Sequence, residues 1–399
     1  MKLAVLTPRY GTEVVGGVER WLRVLSERLV ADRGWQVEVH TTCAVSAATW
    51  ADEYPAATTE IRGVTVHRHR SVSGRDPEYL HMLPRLRRDP ASFSLEEARR
   101  YVELVGPVCP DAVDAAAESG SDLVAVTPYL YWPAIRAVPQ LGRRAIFHCA
   151  AHDEPELYLP LMPTVFASVG GFAFNSFSEQ DLVERTFGLD GLPSSVVGIV
   201  VDRGSGDAGA ARRHLRLDPT EAFVLCLGRV EEAKGAGGLA RMWQLYRRRH
   251  RDAPRLVFIG PGAGPSEDGD GVVYAGPVPE DIKWGALAGC DVLVNPSAQE
   301  SFSLVLLEAW LAGKPVVANA RCGPTTEHCV RSGGGIWFEE YADFEVGMER
   351  LLRDGELRDQ LGQAGRRYVE STFSWPPVLD RYEQLAEAVA ARRRVSPAV

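Results

Sequence analysis

Asn295-Pro-Ser-Ala-Gln-Glu300-Ser-Phe-Ser-Leu-Val-Leu-Leu-Glu308-Ala-Trp-Leu-Ala-Gly313 decides how this chain is read. It continues an apolar run, Asp291–Asn295, of strand character and passes into an apolar helical segment. Glu300 stands where the strand gives way to a loop, and Glu308 lies inside the helix. A helix rises ~1.5 Å per residue, so eight residues span at most ~12 Å, about the reach of a nucleotide diphosphate-sugar from ribose to hexose. The helix is expected to open near Phe302 to Leu304, where unpaired amides and the helix dipole make a seat for a diphosphate. One carboxylate can then read sugar hydroxyls and the other ribose hydroxyls. The ordinary alternative is an amphipathic helix with a capping acid.

Outward from this stretch, short apolar runs alternate with helical segments, the pattern of parallel sheets built from βαβ units. Strands are expected in the first half at Lys2–Thr7, Gln36–Thr41, Val64–His69, Asp122–Val126, Arg144–His148, Gly171–Phe174 and Ser195–Ile199. The second half offers Phe223–Leu227, Arg255–Ile259, Val272–Ala275, Asp291–Asn295, Pro315–Ala318 and Gly335–Phe338. Helical spacing runs through Gly17–Ala31, and through Leu95–Ala117 with breaks at Pro107 and Pro110. Ser71–Pro90 is polar and lacks a period, and reads as a long loop. His67-Arg-His-Arg70 reads as the exposed side of a strand whose Val64 and Val66 face inward. The Gly-rich stretch Val201–Ala210 is the best linker. The expectation is α/β: two Rossmann-like parallel-sheet domains facing across a cleft. They cover 1–201 and 202–375, and a long helix follows from Pro376.

The composition agrees with two domains. At 399 residues the chain exceeds what one core usually supports. A 45% apolar and 24% charged makeup is that of a soluble globular protein, and the net charge of −9 argues against a nucleic-acid partner. The seven cysteines contain no Cys-x-x-Cys pair and read as reduced core thiols of a cytoplasmic protein. His328, Cys329 and Cys322 lack the further spaced pair a metal site needs. The N-terminal apolar run is too short for a signal peptide, and no stretch approaches the ~20 residues of a membrane span. Peripheral contact with the inner face of a membrane would use Arg85, Arg87, Arg88 and the terminal arginines. Glu96, Glu97 and the acidic total favour a solvated face instead.

Further ligand candidates fall at strand ends. The loop after the first strand closes with Gly16-Gly17 at a helix start, which suits close approach to an anion or simply a tight turn. Neither a Gly-x-Gly-x-x-Gly nor a P-loop sequence occurs. Gly228-Arg229 and Lys234-Gly235 put a planar fork and a point charge where both can grip a diphosphate; a solvated basic loop is the alternative. Gly260-Pro-Gly262-Ala-Gly264 and Gly276-Pro-Val278 are Gly loops after strands, compatible with nucleotide contact or with simple turns. His148 and His152, in His148-Cys-Ala-Ala-His152-Asp153-Glu154-Pro155, lie on the expected ligand edge. One of them can orient an acceptor; otherwise Asp153 caps a helix with both rings packed nearby.

Together, Glu300-Ser-Phe-Ser-Leu-x3-Glu308-Ala-x2-Ala-Gly313-x-Pro315 resembles the glutamate pair of family-4 retaining glycosyltransferases of GT-B architecture. The resemblance extends over nearly the whole chain through Gly16-Gly17-Val-Glu19, Gly228-Arg229, Lys234-Gly235, Val197–Asp202 and His152-Asp-Glu-Pro155. It implies that Glu300 meets the donor sugar, Phe302, Ser303 and Leu304 the phosphates, Glu308 the ribose, and Arg229 with Lys234 the diphosphate, and that the C-terminal helix over 376–399 crosses back to join the first domain. It implies a nucleotide diphosphate-sugar donor, no required metal, and hexosyl transfer to a hydroxyl acceptor: a saccharide, a lipid-linked acceptor or a natural product. Ser303 stands where the family commonly has glycine. A catalytically silent scaffold, a nucleotide-sugar epimerase and a sugar phosphorylase are the alternatives on the same fold. The spacing carries no signal of donor base, acceptor class or oligomeric state.

Overall fold

The computed structural model describes residues 1–14, 16–189, 191–262, 264 and 271–395, with the backbone only at 394 and 395. The chain forms two compact units, Met1–Gly198 joined by the chain from Val378 onward, and Ile199–Pro377.

The strands of the first unit are β1 (Lys2–Leu6), β2 (Gln36–Thr42), β3 (Thr58–Ile61), β4 (Val64–His69), β5 (Leu123–Val126), β6 (Ala145–Phe147), β7 (Gly171–Phe174) and β8 (Ser194–Val196). They lie in the order β3-β4-β2-β1-β5-β6-β7-β8, and every pair except β3–β4 is parallel. Leu3–Leu6, Leu123–Val126 and Ala145–Phe147 are buried at every position, as expected where helices cover both faces of a parallel sheet.

The short edge strand β3 was not expected. Its residues Thr58-Thr-Glu-Ile61 are polar and mostly exposed. Its pairing comes from a two-residue turn, Arg62-Gly63, with both residues at positive φ (49° and 82°). Such a turn matches the twist of a hairpin, but Arg-Gly lacks the Asn-Gly spelling that announces it.

In the second unit, β9 (Phe223–Leu227), β10 (Arg255–Ile259), β11 (Val272–Tyr274), β12 (Val292–Asn295), β13 (Val316–Asn319) and β14 (Gly335–Phe338) are all parallel, in the order β11-β10-β9-β12-β13-β14. Counted within the unit this is 3-2-1-4-5-6, the doubly wound dinucleotide-binding order. All six strands fall on the expected runs.

Two expectations are corrected. Residues 71–90 are not one long loop, because a helix spans Tyr79–Arg88 with Pro84 inside it. Leu86 is fully buried, and Tyr79, Met82 and Leu83 pack on the core, so tertiary burial overrides the proline. Its Arg85 pairs with Glu97 at 2.5 Å on a face where both side chains remain solvated. In the His67–Arg70 run, Arg68 shares the inward face with Val64 and Val66, since side chains alternate along a strand. Its guanidinium donates to Tyr10 O at 3.0 Å and lies over the Tyr54 ring. All seven cysteines are buried and unbridged.

The C-terminal helix, Trp375–Val395, anchors to the first unit through named contacts. Arg381 donates to Val197 O at 2.8 Å, Asp380 pairs with Arg33, and Arg392 and Arg393 donate to Gly191 O and Asp122 O.

Candidate functional site

In the second unit β9 and β12 are neighbours although two strands separate them in sequence, so the chain winds away to opposite sides from this point. Such a switch point leaves a crevice outside the carboxyl ends of the two strands. The loops Gly228–Gly235 and Pro296–Ser303 are those ends. Lys234 Nζ lies 2.8 Å from Glu300 Oε1 and 3.2 Å from Gln299 O. Both side chains keep about a quarter of their surface in solvent (26% and 21%), so the pair is reachable by a ligand. Gly235 holds the loops together: at φ 75° a Cβ there would run into the Pro296 carbonyl. Arg229 is instead largely exposed and pairs with Glu231 at 3.2 Å. The two cations expected to share one anion are therefore engaged with different acids.

The helix following Glu300 is Leu304–Leu311, and Ser303 caps it at φ 72°, ψ 79°. That left-handed backbone costs a residue with a β-carbon roughly 1–2 kcal/mol. Asn295 Nδ2 donates to Ser303 Oγ at 2.7 Å, and a net gain of about 1 kcal/mol from such a bond offsets much of the cost. The side chain that replaces the family's glycine is thus fastened to the end of β12. Leu304 is the first helical residue. Beneath it Phe302 is buried edge-to-face against His328 (4.7 Å) and Phe373 (5.1 Å). Burial pushes the His328 imidazole down to about 3, and its Nδ1 meets Tyr368 Oη at 3.0 Å.

Glu308 is the fifth residue of the same helix. Its Oε1 lies 2.7 Å from Nζ of Lys283, which also meets Glu280 Oε1 at 2.7 Å. Burial pulls the Lys283 ammonium down, but Glu308 and Glu280 outweigh it, and its pKa is raised. Sequence reasoning missed Lys283, for which the only local signal is its three-residue spacing from Glu280. Val278 is half-buried in the loop that leads from β11 into this helix, Glu280–Gly289.

The first unit brings a different set together. Gly16 precedes the helix Gly17–Arg33, and the space a Cβ would occupy is taken by the Glu19 carboxylate, which pairs with Arg9. Around Gly17 that space is open. His148 follows β6 fully buried, its Nε2 3.1 Å from Tyr382 Oη, and burial pushes its pKa to about 4. The ring is therefore neutral and packed, while His152 is half-buried four residues on. Asp153 caps no helix; it accepts from Tyr158 Oη at 2.7 Å. The half-buried acid of this loop is Glu154, which accepts from Tyr129 Oη at 2.5 Å and is raised to about 7 by desolvation.

Glu179, which the sequence reading did not single out, holds the loop in place. Its Oε1 accepts from Ala151 N at 2.8 Å and Cys149 Sγ at 3.1 Å, and its Oε2 from Asn175 N at 2.7 Å. Its only sequence signal is Ser176, whose hydroxyl caps the helix at the Glu179 amide. Among the described residues no group of three or more His, Cys, Asp or Glu is arranged to hold a metal ion. No helix among them is long and apolar enough to cross a membrane.

Residues 207–368, most of the second unit, match the family model described as glycosyl transferases group 1. The chain has the GT-B fold, and its second unit is similar to glycosyl transferases group 1. Among curated relatives, a D-inositol 3-phosphate glycosyltransferase of Stackebrandtia nassauensis is 30% identical over 290 residues. That alignment covers 66% of this chain and 65% of the relative, just under two thirds of its length. An uncharacterized glycosyltransferase of Methanocaldococcus jannaschii is 24% identical over 94% of this chain and 95% of its own. Among solved structures, sucrose-phosphate synthase from Thermosynechococcus elongatus superposes with a TM-score of 0.70 at 19% identity, covering 98% of this chain and 99% of that one. Anabaena HepE in complex with UDP-glucose gives 0.65 at 17% identity, covering 98% and 100%. The GT-B likeness spans both units.

Proposed function

We propose that this chain is a retaining glycosyltransferase that moves a hexosyl group from a nucleotide diphosphate-sugar to an acceptor hydroxyl without a required metal. The observation that carries it is the meeting of Lys234 and Glu300, 66 residues apart, at the switch point between β9 and β12. In this reading Glu300 binds donor-sugar hydroxyls and Glu308 the ribose. The amides from Phe302 to Leu304, with Lys234 and Arg229, take the charge of the departing diphosphate.

The bond from the anomeric carbon to the phosphate oxygen breaks, its electron pair leaving with the diphosphate. The acceptor oxygen bonds to the same face of the sugar, and its proton passes to the departing phosphate oxygen. His152 is assigned to the acceptor side ahead of His148, because only His152 keeps solvent contact. The pairing of UDP-glucose with HepE makes UDP-glucose the first donor to try. Incubation with UDP-, GDP- and ADP-glucose, followed by analysis of free nucleotide and sugar products, tests the reading. Nucleotide release with retention at the anomeric carbon supports it. An epimerised donor, or turnover only with free phosphate, assigns another chemistry to the fold.

A further inference from the structure

We infer that Lys283 is a positioning residue that, through Glu308, makes the donor site selective for a ribonucleoside over a 2′-deoxyribonucleoside diphosphate. The inference rests on the proposed donor reading, in which Glu308 faces the ribose. A glutamate side chain has three rotatable bonds, and a carboxylate that is to accept from ribose hydroxyls must be held in one orientation. Lys283 supplies that hold. Its ammonium sits 2.7 Å from Glu308 Oε1, and its own position is fixed by Glu280 at 2.7 Å and by the Trp284 ring, 5.4 Å from Nζ. Trp284 Nε1 in turn donates to Glu280 Oε1 at 3.0 Å.

Glu308 retains 14% of its side-chain exposure and Lys283 19%. That little water weakens screening, so the pair persists at physiological salt. The raised pKa of Lys283 keeps it charged throughout the range in which a nucleotide would bind. Two acids around one ammonium also leave this corner with an excess negative charge. It therefore suits neutral hydroxyl donors rather than phosphate oxygens, which places the diphosphate at the Lys234 end of the helix and the ribose here.

The test is calorimetric binding of two nucleotide pairs, UDP with 2′-deoxy-UDP and GDP with 2′-deoxy-GDP. The pair containing the ribonucleotide that wild type binds more tightly is used for the variants. Hydrogen bonds to charged groups set the scale, so wild type is expected to prefer the ribonucleotide by roughly tenfold or more. Lys283→Met keeps the apolar stem and removes the charge; it is expected to cut the preference at least ~threefold, chiefly by weakening the ribonucleotide. Lys283→Arg should restore most of it, and Glu280→Gln, which keeps an acceptor oxygen for Lys283 and Trp284 but loses the charge, should reduce it less than Lys283→Met does. Variants are compared below their melting temperatures, and a general loss of folding would lower both affinities without moving their ratio. An unchanged ratio in Lys283→Met beside an intact wild-type preference overturns this inference and leaves the donor reading standing. Absence of any nucleotide binding by wild type overturns the donor reading itself.

Discussion

The two ligand-edge loops of this molecule sit on similar parallel sheets yet handle charge in opposite ways. At the ends of β9 and β12 each acid of the glutamate pair has a lysine at hydrogen-bonding distance and keeps some contact with solvent. After β6 the ionisable groups are withdrawn: His148 is neutral by burial, and Glu154 and Glu179 are raised to about 7. The first arrangement keeps full charges ready for an anion, at the cost of holding opposite charges in place before it arrives. The second uses Glu179 as an internal fastener for the amides of Ala151 and Asn175, and Glu154 as the acceptor of the Tyr129 hydroxyl.

The sharpest way to break that contrast is to remove a fastener. Glu179→Ala leaves the amides of Ala151 and Asn175 without their acceptor in a buried site. At ~1–3 kcal/mol per unsatisfied group plus the cavity, the first unit should lose about 3–5 kcal/mol. Hydrogen exchange should show the loss in the peptides around 145–187 and little change in the second unit. Equal effects in both units would mean that Glu179 is not a local fastener. Removing a charge partner should act differently. Lys234→Ala is expected to weaken nucleotide diphosphate affinity by roughly 10–100-fold, the scale of a lost charge-assisted bond, with little change in melting temperature.

Acidification sharpens the same comparison. A histidine held below its unfolded pKa of 6.5 contributes fully above that pH and loses its contribution as pH falls. A carboxyl raised to about 7 does the reverse, gaining as pH falls through 7. Between pH 7 and 5 each of these shifts amounts to about 2 kcal/mol. In the first unit the losses at His40 and His148, both near 4, and at His69, also held down by burial, are set against gains at Glu154 and Glu179. In the second, His328 near 3 has no such opponent among the described residues. Hydrogen exchange at the two pH values should therefore show the second unit loosening first around Phe302, His328 and Phe373; a first unit that loosens first contradicts the assignment.

The smallest effect is expected at Ser303→Gly. Relief of ~1–2 kcal/mol of left-handed strain is set against loss of the Asn295 bond, for a net change within about 1 kcal/mol by chemical denaturation.

Among the described residues thirteen of fourteen strands were legible, most of them because buried parallel strands are short, mainly apolar runs, as in Phe223–Leu227 and Val292–Asn295. The polar hairpin strand β3 and the proline-bearing helix at Tyr79–Arg88 were not, since a turn geometry and a tertiary contact decide them. The site shows the same divide. Glu300, Lys234 and Glu308 stand out by their positions at strand and helix ends. Lys283 and Glu179 look like ordinary helix-surface residues until the fold brings Glu308 and the Cys149–Ala151 loop against them. Arg229 was legible as a cation at a strand end, but its turn toward Glu231 was not, because neighbouring acids compete for it.

Titration of wild type and Lys234→Ala with UDP, GDP, ADP and dTDP in a calorimeter tests the central claim most directly, that Lys234 and Glu300 frame a nucleotide diphosphate site. The account predicts saturable 1:1 binding of at least one of the four by wild type and a loss of at least ~tenfold in the variant. Binding of none of them, or an affinity that survives the loss of Lys234, would contradict it.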